Sequence, residues 1–332
     1  MKKKILFVER KASESVSIER VFEQIAKDLP KDRFESEVQQ VAYGNGIFGT
    51  LMNLLFFRPR QADIYHITGH VHYIALRLPK KKTVLTIHDL IFLHRRNGPR
   101  RFILKWLFLT LPMKRLDNVT AVSQSTKEEI QAYTSVNGER IRVIEDPLID
   151  GFQRGAGKPF DHDHPVILHI GTALNKNLPN LIRALRGMRC KLRIIGKLDP
   201  SLRETLHSNK VEYENVCGLD QAQMAEEYRE ADIVAFCSTY EGFGLPIIEA
   251  QAMGRSVVTS DLSPMKDVAG GGAVLVDPHN TESIRNGILK LIEDADLRNH
   301  LVDIGETNVE RFASKKIASQ YAELYDKILA NG

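Results

Sequence analysis

Two glutamates, Glu241 and Glu249, stand on either side of a seven-residue stretch with two glycines and a proline, in the segment STYEGFGLPIIEAQAMG. The preceding run, ADIVAFC, has the pattern of a buried strand, so a loop is expected directly after it. Pro246 suits the first position of a helix, and Gly254 suits the residue just beyond its end. We therefore expect Glu241 in the loop and Glu249 facing outward from about the second helical turn.

These residue types suit a ligand that carries phosphates and hydroxyls. Gly242 and Gly244 allow the backbone to approach a ligand and to adopt angles closed to other residues. Backbone N–H groups at a helix N-terminus attract anions, most often phosphate. A carboxylate accepts hydrogen bonds from vicinal hydroxyls, so one glutamate could hold a sugar and the other a ribose. The alternative is a helix cap and a solvated helix face, and the spacing alone leaves both interpretations open.

Short apolar runs alternate with helical patterns along the whole chain. The apolar runs of the first half are KILFVE, SEVQQVAY, ADIYHIT, KTVLTIHDL, NVTAVSQ and RIRVIED. Those of the second half are PVILHIGT, KLRIIGK, VEYENVCG, ADIVAFCS, SVVTSD and GAVLVD, followed by two expected terminal helices. This alternation predicts βαβ units and mainly parallel sheets. The predicted fold class is α/β, with two Rossmann-like, doubly wound domains.

An interdomain linker is predicted over residues 146–165. This stretch, DPLIDGFQRGAGKPFDHDHP, is rich in Gly, Pro and Asp and has no periodicity. We expect an N-terminal domain over residues 1–150 and a C-terminal domain over residues 151–316. Ligands of open α/β sheets bind beyond the carboxyl ends of the strands, so the chemistry is expected in a cleft between the domains.

Composition indicates a globular protein. Of the 332 residues, 43% are hydrophobic and 27% are charged, which does not fit a disordered or fibrous chain. The three cysteines have neither metal-site nor redox spacing, which fits a reducing cytoplasm. The N-terminal apolar run ILFV is too short for a signal peptide, and no run reaches the roughly 18 residues of a membrane-spanning helix.

Charge is divided unevenly between the halves. Residues 1–150 carry 25 Lys and Arg against 17 Asp and Glu, whereas the remainder carries 21 against 25. Two segments of the basic half, residues 48–60 and 94–115, combine arginines with aromatic and aliphatic residues, as interfacial helices do. We expect peripheral contact with the anionic inner face of the cell membrane, against the alternative of core helices with charged outer faces. Nucleic acid is not an expected partner, because no stacking platform or binding motif is present.

The segment from Glu241 to Glu249 closely resembles the acid-x7-acid signature of family-4 retaining glycosyltransferases, which have the GT-B fold. The resemblance extends to GTALNKNLPNLIRAL, LRIIGK, LVDP and RFASKKIASQYAELY, and covers nearly the whole second half. It implies a metal-independent hexosyltransferase without a cofactor, whose donor substrate is a nucleotide-diphosphate sugar. The acceptor would be a saccharide or a lipid-linked saccharide, in cell-surface polysaccharide or glycolipid biosynthesis. We also expect the last helix, about residues 317–332, to pack back on the first domain.

The resemblance implies a role for each matching residue. Glu249 would bind the ribose hydroxyls of the donor, Glu241 the hydroxyls of the transferred sugar, and Lys176 the diphosphate. His88, in VLTIHDL, would act on the sugar or acceptor side, so the expected catalytic set is Glu241, His88 and Lys176. The other expected donor-binding residues are Gly171, Thr172, Lys197, Gly242, Phe243, Gly244 and Leu245.

Two features depart from the family pattern. Thr172 stands where the family usually has an arginine, so part of the charge that meets the phosphates would be supplied elsewhere, with Lys197 as a candidate. The family's glycine-rich loop after the first strand is replaced by a stretch with Ser13, Ser15 and Ser17.

A histidine triplet has metal-like spacing: His66, His70 and His72. No acid or cysteine partner is evident beside it, so we predict a cleft-lining loop and no metal site. Asp89 is predicted to be structural.

Three other functions are weighed against sugar transfer. A sugar-nucleotide epimerase or hydrolase would share the two-domain layout, and a noncatalytic nucleotide-sugar-binding subunit would keep Lys176 and Glu249. A nicotinamide dehydrogenase is disfavoured because no G-x-G-x-x-G follows a predicted strand.

Overall fold

The computed structural model describes residues 1–11, 17–44, 46–94, 98–155 and 158–331. The chain forms two compact units. Unit 1 contains Met1–Ile149 together with Ala313–Gly332, and unit 2 contains Asp150–Phe312. The two ends of the chain therefore belong to the same unit.

Unit 1 is built on a parallel six-stranded sheet with the strand order β2-β1-β3-β4-β5-β6. Its strands are β1 (Lys3–Glu9), β2 (Phe34–Gln40), β3 (Ile64–Ile67), β4 (Thr83–Ile87), β5 (Asn118–Ala121) and β6 (Ile141–Val143). Its helices before unit 2 begins are α1 (Ser17–Asp28), α2 (Ile47–Phe56), α3 (Ile91–His94), α4 (Gly98–Lys105), α5 (Leu111–Arg115) and α6 (Gln124–Thr134). A π-helical turn, Trp106–Thr110, joins α4 to α5. A 3₁₀ segment, His72–Arg77, follows β3.

Unit 2 repeats this design with a second parallel six-stranded sheet, in the order β12-β11-β10-β7-β8-β9. Its strands are β7 (Val166–Ile170), β8 (Lys191–Ile195), β9 (Glu212–Val216), β10 (Ile233–Phe236), β11 (Ser256–Ser260) and β12 (Val274–Val276). Its helices are α7 (Leu178–Leu185), α8 (Pro200–Ser208), α9 (Gln221–Glu230), α10 (Leu245–Ala252), α11 (Met265–Ala269), α12 (Thr281–Glu293) and α13 (Ala295–Val309). The predicted α/β class with two Rossmann-like sheets is confirmed.

The central strands of both sheets are buried on both faces. In β1, Ile5, Leu6, Phe7 and Val8 are all fully buried, and every residue of β10 is buried as well. Strands without an exposed face are typical of parallel sheets covered by helices on both sides.

Three helices follow β12, where the sequence analysis expected two. Asp294 separates α12 from α13: its backbone is extended, and its side chain accepts a hydrogen bond from the Leu297 N–H at 2.9 Å. An aspartate in this position both ends one helix and caps the next.

The last helix, α14 (Ser314–Ala330), belongs to unit 1. The Tyr325 hydroxyl lies 2.7 Å from His66 Nδ1, and the Thr86 hydroxyl lies 2.7 Å from His66 Nε2. Tyr321 reaches the same threonine at 3.3 Å. These buried hydrogen bonds fix α14 against β3 and β4.

No helix in the described part of the chain has both the length and the apolar character needed to span a bilayer.

Candidate functional site

The carboxyl edge of the unit 2 sheet brings a lysine and a glutamate together from two separate loops. Lys176, after β7, donates a hydrogen bond from Nζ to Glu241 Oε1 at 2.8 Å, and Glu241 lies in the loop after β10. The Asn175 side chain donates to the same oxygen at 3.3 Å and to the Tyr240 carbonyl at 3.0 Å. The side chains of Lys176 and Glu241 are 22% and 13% exposed, so this ion pair is partly shielded from solvent yet accessible to a ligand.

Backbone geometry after β7 places Lys176. Gly171 has φ +91°, a value that side-chain-bearing residues rarely adopt, and a Cβ there would lie only 3.0 Å from Lys176 Cγ, so a larger residue would be strained and would crowd the lysine. The next residue along, Asn177, is left-handed and its side chain donates to the carbonyls of Cys237 and Pro278 at 2.9 and 2.7 Å. The Lys176 ammonium also lies 4.8 Å from the centroid of the Phe236 ring.

Helix α10 begins next to this ion pair. Gly244 has φ +131°, a value that side-chain-bearing residues rarely adopt, and α10 starts at the following residue, Leu245. Phe243 is buried, and its ring packs edge-on against Phe312 at 5.6 Å. A ligand at this turn would therefore meet the backbone at the N-terminus of α10, and helix N-termini attract anions.

Glu249 does not face outward, so that expectation was wrong. It is 9% exposed and accepts a hydrogen bond at Oε2 from the Tyr228 hydroxyl at 2.5 Å. The cause is the burial of α10, in which all residues from Ile247 to Ala252 are buried. A central helix has no solvated face, so the acid on it must point into protein or into a binding site.

Thr172 and Lys197 come together at the ends of β7 and β8. The Thr172 hydroxyl donates to the Lys197 carbonyl at 2.8 Å, and the Lys197 side chain is exposed. The threonine therefore replaces the family's arginine with a contact to the neighbouring loop.

In unit 1, His88 follows β4 and is 6% exposed. Its Nε2 lies 3.0 Å from the Thr68 carbonyl, and its Nδ1 lies 3.8 Å from Asp146 Oδ2. Burial disfavours the charged ring and lowers its pKa, but the Asp146 carboxylate, Asp89 and the Thr68 carbonyl together outweigh burial and raise the pKa of His88. Both ring nitrogens therefore face protein groups, and the geometry favours the imidazolium.

The histidine triplet divides into two buried side chains and one that is accessible. Burial lowers the pKa of His66 and of His72 to about 3 each, so both rings are neutral. The expectation that no acid lies beside the triplet was wrong, because His70 Nε2 lies 3.6 Å from Asp89 Oδ2. Asp89 also accepts a hydrogen bond from the Ile91 N–H at 2.9 Å. Across the described residues, no group of three or more His, Cys, Asp or Glu side chains is arranged to hold a metal ion.

The serine-containing stretch after β1 is described only in part. Ser13 and Ser15 lie outside the described residues, as do Arg95 and Arg96 of the basic segment 94–115. Ser17 is the first residue of α1.

Three notable groups were not singled out by the sequence analysis: Tyr228, Asp146 and Glu9. Glu9 ends β1, is 4% exposed, and has no hydrogen-bond partner at Oε1 within the described residues. Burial and the carboxylates of Glu19 and Glu23 raise the pKa of Glu9 to about 7. An acid at the last position of an apolar strand was the available signal for Glu9, whereas Tyr228 and Asp146 have none in their local sequence.

Comparison with known proteins identifies the family. Residues 155–307 match the model of glycosyl transferases group 1, and residues 42–147 match the model of glycosyltransferase family 4. The serotype-specific mannosyltransferase WbdA of Escherichia coli is 25% identical over 260 residues, which cover 68% of this chain and 31% of that protein. The phosphatidyl-myo-inositol mannosyltransferase of Mycobacterium leprae is 30% identical over 168 residues, covering 47% of this chain and 44% of that protein. The matches thus span about a third to under half of the length of these relatives.

A solved structure shares the fold over almost the full chain. HepE of Anabaena, crystallised with UDP and glucose, superposes with a TM-score of 0.78 at 19% identity, covering 98% of this chain and all of that one. Two parallel sheets with this strand order, an acid-x7-acid segment and two matching family models define one class of protein. The chain belongs to the family-4 glycosyltransferases with the GT-B fold.

Proposed function

We propose that this protein is a retaining glycosyltransferase that moves a sugar from a nucleotide-diphosphate sugar to a saccharide or lipid-linked saccharide. The process served would be cell-surface polysaccharide or glycolipid biosynthesis. The observation that carries the proposal is the Lys176–Glu241 ion pair beside the N-terminus of α10. It offers positive charge and backbone donors to a diphosphate, and acids on either side for hydroxyls. Mannosyltransferases among the relatives make mannose the first sugar to test.

The donor-binding roles follow from this arrangement. In the proposal, Glu249 holds the ribose hydroxyls and Glu241 the hydroxyls of the transferred sugar. Lys176 meets the diphosphate, which requires its ammonium to share or leave the hydrogen bond to Glu241. The remaining donor contacts would come from Gly171, Thr172, Lys197 and the backbone of residues 242–245.

The proposed reaction is a displacement on one face of the sugar through an oxocarbenium-like state. The bond between the anomeric carbon and the phosphate oxygen breaks, and the bond to the acceptor oxygen forms on the same face. The acceptor's proton passes to the departing diphosphate. Negative charge grows on that diphosphate, so a lysine and N–H groups that meet it stabilise the transition state more than the ground state. No metal or cofactor has a role in this scheme.

His88 is proposed to act on the sugar or acceptor side. Because Asp146 favours its protonated ring, His88 would contribute positive charge and not a proton-accepting nitrogen. This assigns it an electrostatic role toward the substrate.

Peripheral membrane contact is proposed through α2, α4 and the start of the π-helical turn. Eight large apolar side chains on them are exposed: Ile47, Phe48, Leu51, Leu55, Phe56, Phe102, Ile103 and Trp106. Exposed apolar side chains with neighbouring arginines such as Arg58 and Arg100 are typical of surfaces that lie in a membrane interface.

Vesicle sedimentation tests the membrane proposal. Wild type is expected to sediment with vesicles that contain phosphatidylglycerol and to do so less as salt is raised, and the Phe48→Asn/Phe102→Asn double variant is expected to remain in the supernatant. Leu275→Asn, which removes an exposed apolar side chain of unit 2, is the control. Equal sedimentation of all three proteins would count against the proposal.

A donor and product assay tests the central proposal. Nucleotide sugars, with GDP-mannose and UDP-glucose first, are screened for thermal stabilisation, because a ligand of the folded state raises the apparent stability. The stabilising donor is then incubated with saccharide acceptors, and the anomeric configuration of the product is read by NMR. A product that keeps the donor's configuration is expected. Inversion would contradict the mechanism, sugar release or epimerisation without an acceptor would indicate the hydrolase or epimerase, and binding without turnover would indicate a noncatalytic subunit.

A further inference from the structure

Tyr228 and Glu249 form a buried hydrogen-bonded pair inside unit 2. Tyr228 lies on α9 and is fully buried, and its hydroxyl is 2.5 Å from Glu249 Oε2 on α10. A distance of 2.5–2.7 Å is typical of a hydroxyl that donates to an ionised carboxylate. The contact therefore places a hydroxyl donor on one oxygen of the Glu249 carboxyl group.

The tyrosine is itself held on its other side. Its ring packs edge-on against Phe152 at a centroid distance of 5.4 Å and an angle of 86°. Phe152 is 3% exposed and stands near the start of unit 2. Burial and the Glu249 charge raise the pKa of Tyr228 well above its usual value, so the phenol keeps its proton and remains a donor.

A carboxylate has about four lone-pair sites, and a buried one must have them filled or aimed at a ligand. The Tyr228 hydroxyl fills one of those on Oε2 and thereby restrains the rotation of the carboxylate plane. A vicinal diol needs that plane in a set orientation, because both of its hydroxyls must donate at once. A tyrosine that sets the plane would thus decide how well ribose is distinguished from a sugar without the diol.

We propose that Tyr228 is a positioning residue, which orients Glu249 so that the nucleotide donor is selected by its ribose hydroxyls. The inference rests on the proposed function, in which Glu249 contacts the ribose. Tyr228 itself acts through Glu249 and does not touch the nucleotide.

Calorimetric binding of diphosphates that differ only in the diol tests this proposal. UDP and GDP are each compared with their 2′,3′-dideoxy forms, and the pair whose ribose form binds wild type is used throughout. Wild type is expected to prefer the ribose form by about tenfold or more, as for hydrogen bonds to a charged group. In Tyr228→Phe, the preference is expected to fall to about threefold while the affinity for the dideoxy form stays unchanged.

Two further variants separate the possible results. Tyr213→Phe removes a hydroxyl from a partly buried tyrosine of β9 and is expected to keep the wild-type preference. Glu249→Gln is expected to lose most of the preference, which tests the proposed function on its own. A lower melting temperature of Tyr228→Phe with the full ribose preference retained would overturn the positioning role. Full preference in Glu249→Gln, or no binding of either diphosphate by wild type, would instead overturn the proposed function and the inference with it.

Discussion

The two units carry the same type of sheet but different side chains at its carboxyl edge. In unit 2 this edge holds a partly exposed ion pair, Lys176 with Glu241, beside a glycine turn and the start of a helix. In unit 1 it holds a buried pair, His88 with Asp146, whose side chains are only 7% and 8% exposed. Charge at the first edge is accessible to a ligand, whereas charge at the second is mostly enclosed by protein.

This difference in exposure indicates that the two sheet edges have different roles. A site for a diphosphate must offer cationic groups and N–H donors that exchange their partners when the ligand arrives. A buried pair that keeps its own partners provides a fixed electrostatic field, and removing one partner destabilises the fold because the other charge is left buried and unpaired. Three substitutions test this contrast, one at the accessible edge and two at the enclosed edge.

The largest effect is expected from Lys176→Ala. Removing the ammonium leaves the charge on the departing diphosphate unmet, so we expect kcat/KM to fall by about 100-fold or more. Lys266→Ala is the matched control, since Lys266 pairs with Asp261 at 3.5 Å on the surface of the same unit. Steady-state rates with the donor found by screening provide the measurement, and comparable rates for the two variants would remove Lys176 from the site.

A smaller effect, on stability, is expected from Asp146→Asn. Because the pKa of folded His88 is raised above its ordinary value of 6.5, the pair's stabilisation is complete below pH 6.5 and declines as pH rises through the higher folded pKa. The substitution should lower the free energy of unfolding by about 2 kcal/mol at pH 6 and by less at pH 9.

Urea titrations of wild type and Asp146→Asn at both pH values measure this. The control Asp117→Asn alters an acid that is 51% exposed and pairs with Lys80 and Arg140. A loss at Asp146 that is the same at pH 6 and pH 9 would show that the charge on His88 is not involved.

The smallest effect, and one of opposite sign, is expected from Glu9→Gln. The pKa of Glu9 is about 7 in the folded chain, whereas its ordinary value, expected in the unfolded chain, is 4.5. Ionisation of this acid therefore destabilises the fold as pH rises from 4.5 through 7. The amide cannot ionise, and the variant should therefore be more stable than wild type by about 1 kcal/mol at pH 8 and not at pH 4.5. Urea midpoints at the two pH values measure the stability of wild type and Glu9→Gln, and Glu35→Gln, at an exposed glutamate, is the control. A Glu9→Gln variant that is less stable than wild type at pH 8 would mean that the ionised carboxyl has a stabilising partner.

Local patterns predicted most of the strands and helices. Helix α9 begins at Gln221, where Asp220 and Gln223 form a capping box, and ends at Glu230. Glu241 lies in the predicted loop, and the proline that marks the helix start lies in the first turn of α10. Glycine, proline and capping residues act on the backbone within a few residues of themselves, so their effect can be predicted from the local sequence.

The sequence by itself thus determined two βα series, a turn with unusual backbone angles, and an acid on each side of it. Only the tertiary structure decided that Glu249 points inward to Tyr228, that Lys176 meets Glu241, and that His88 is enclosed with Asp146. The physical reason is separation along the chain: Lys176 and Glu241 are 65 residues apart, and neither loop contains information about the other. Such contacts are set by how strands pair and helices pack, which no short stretch of sequence specifies.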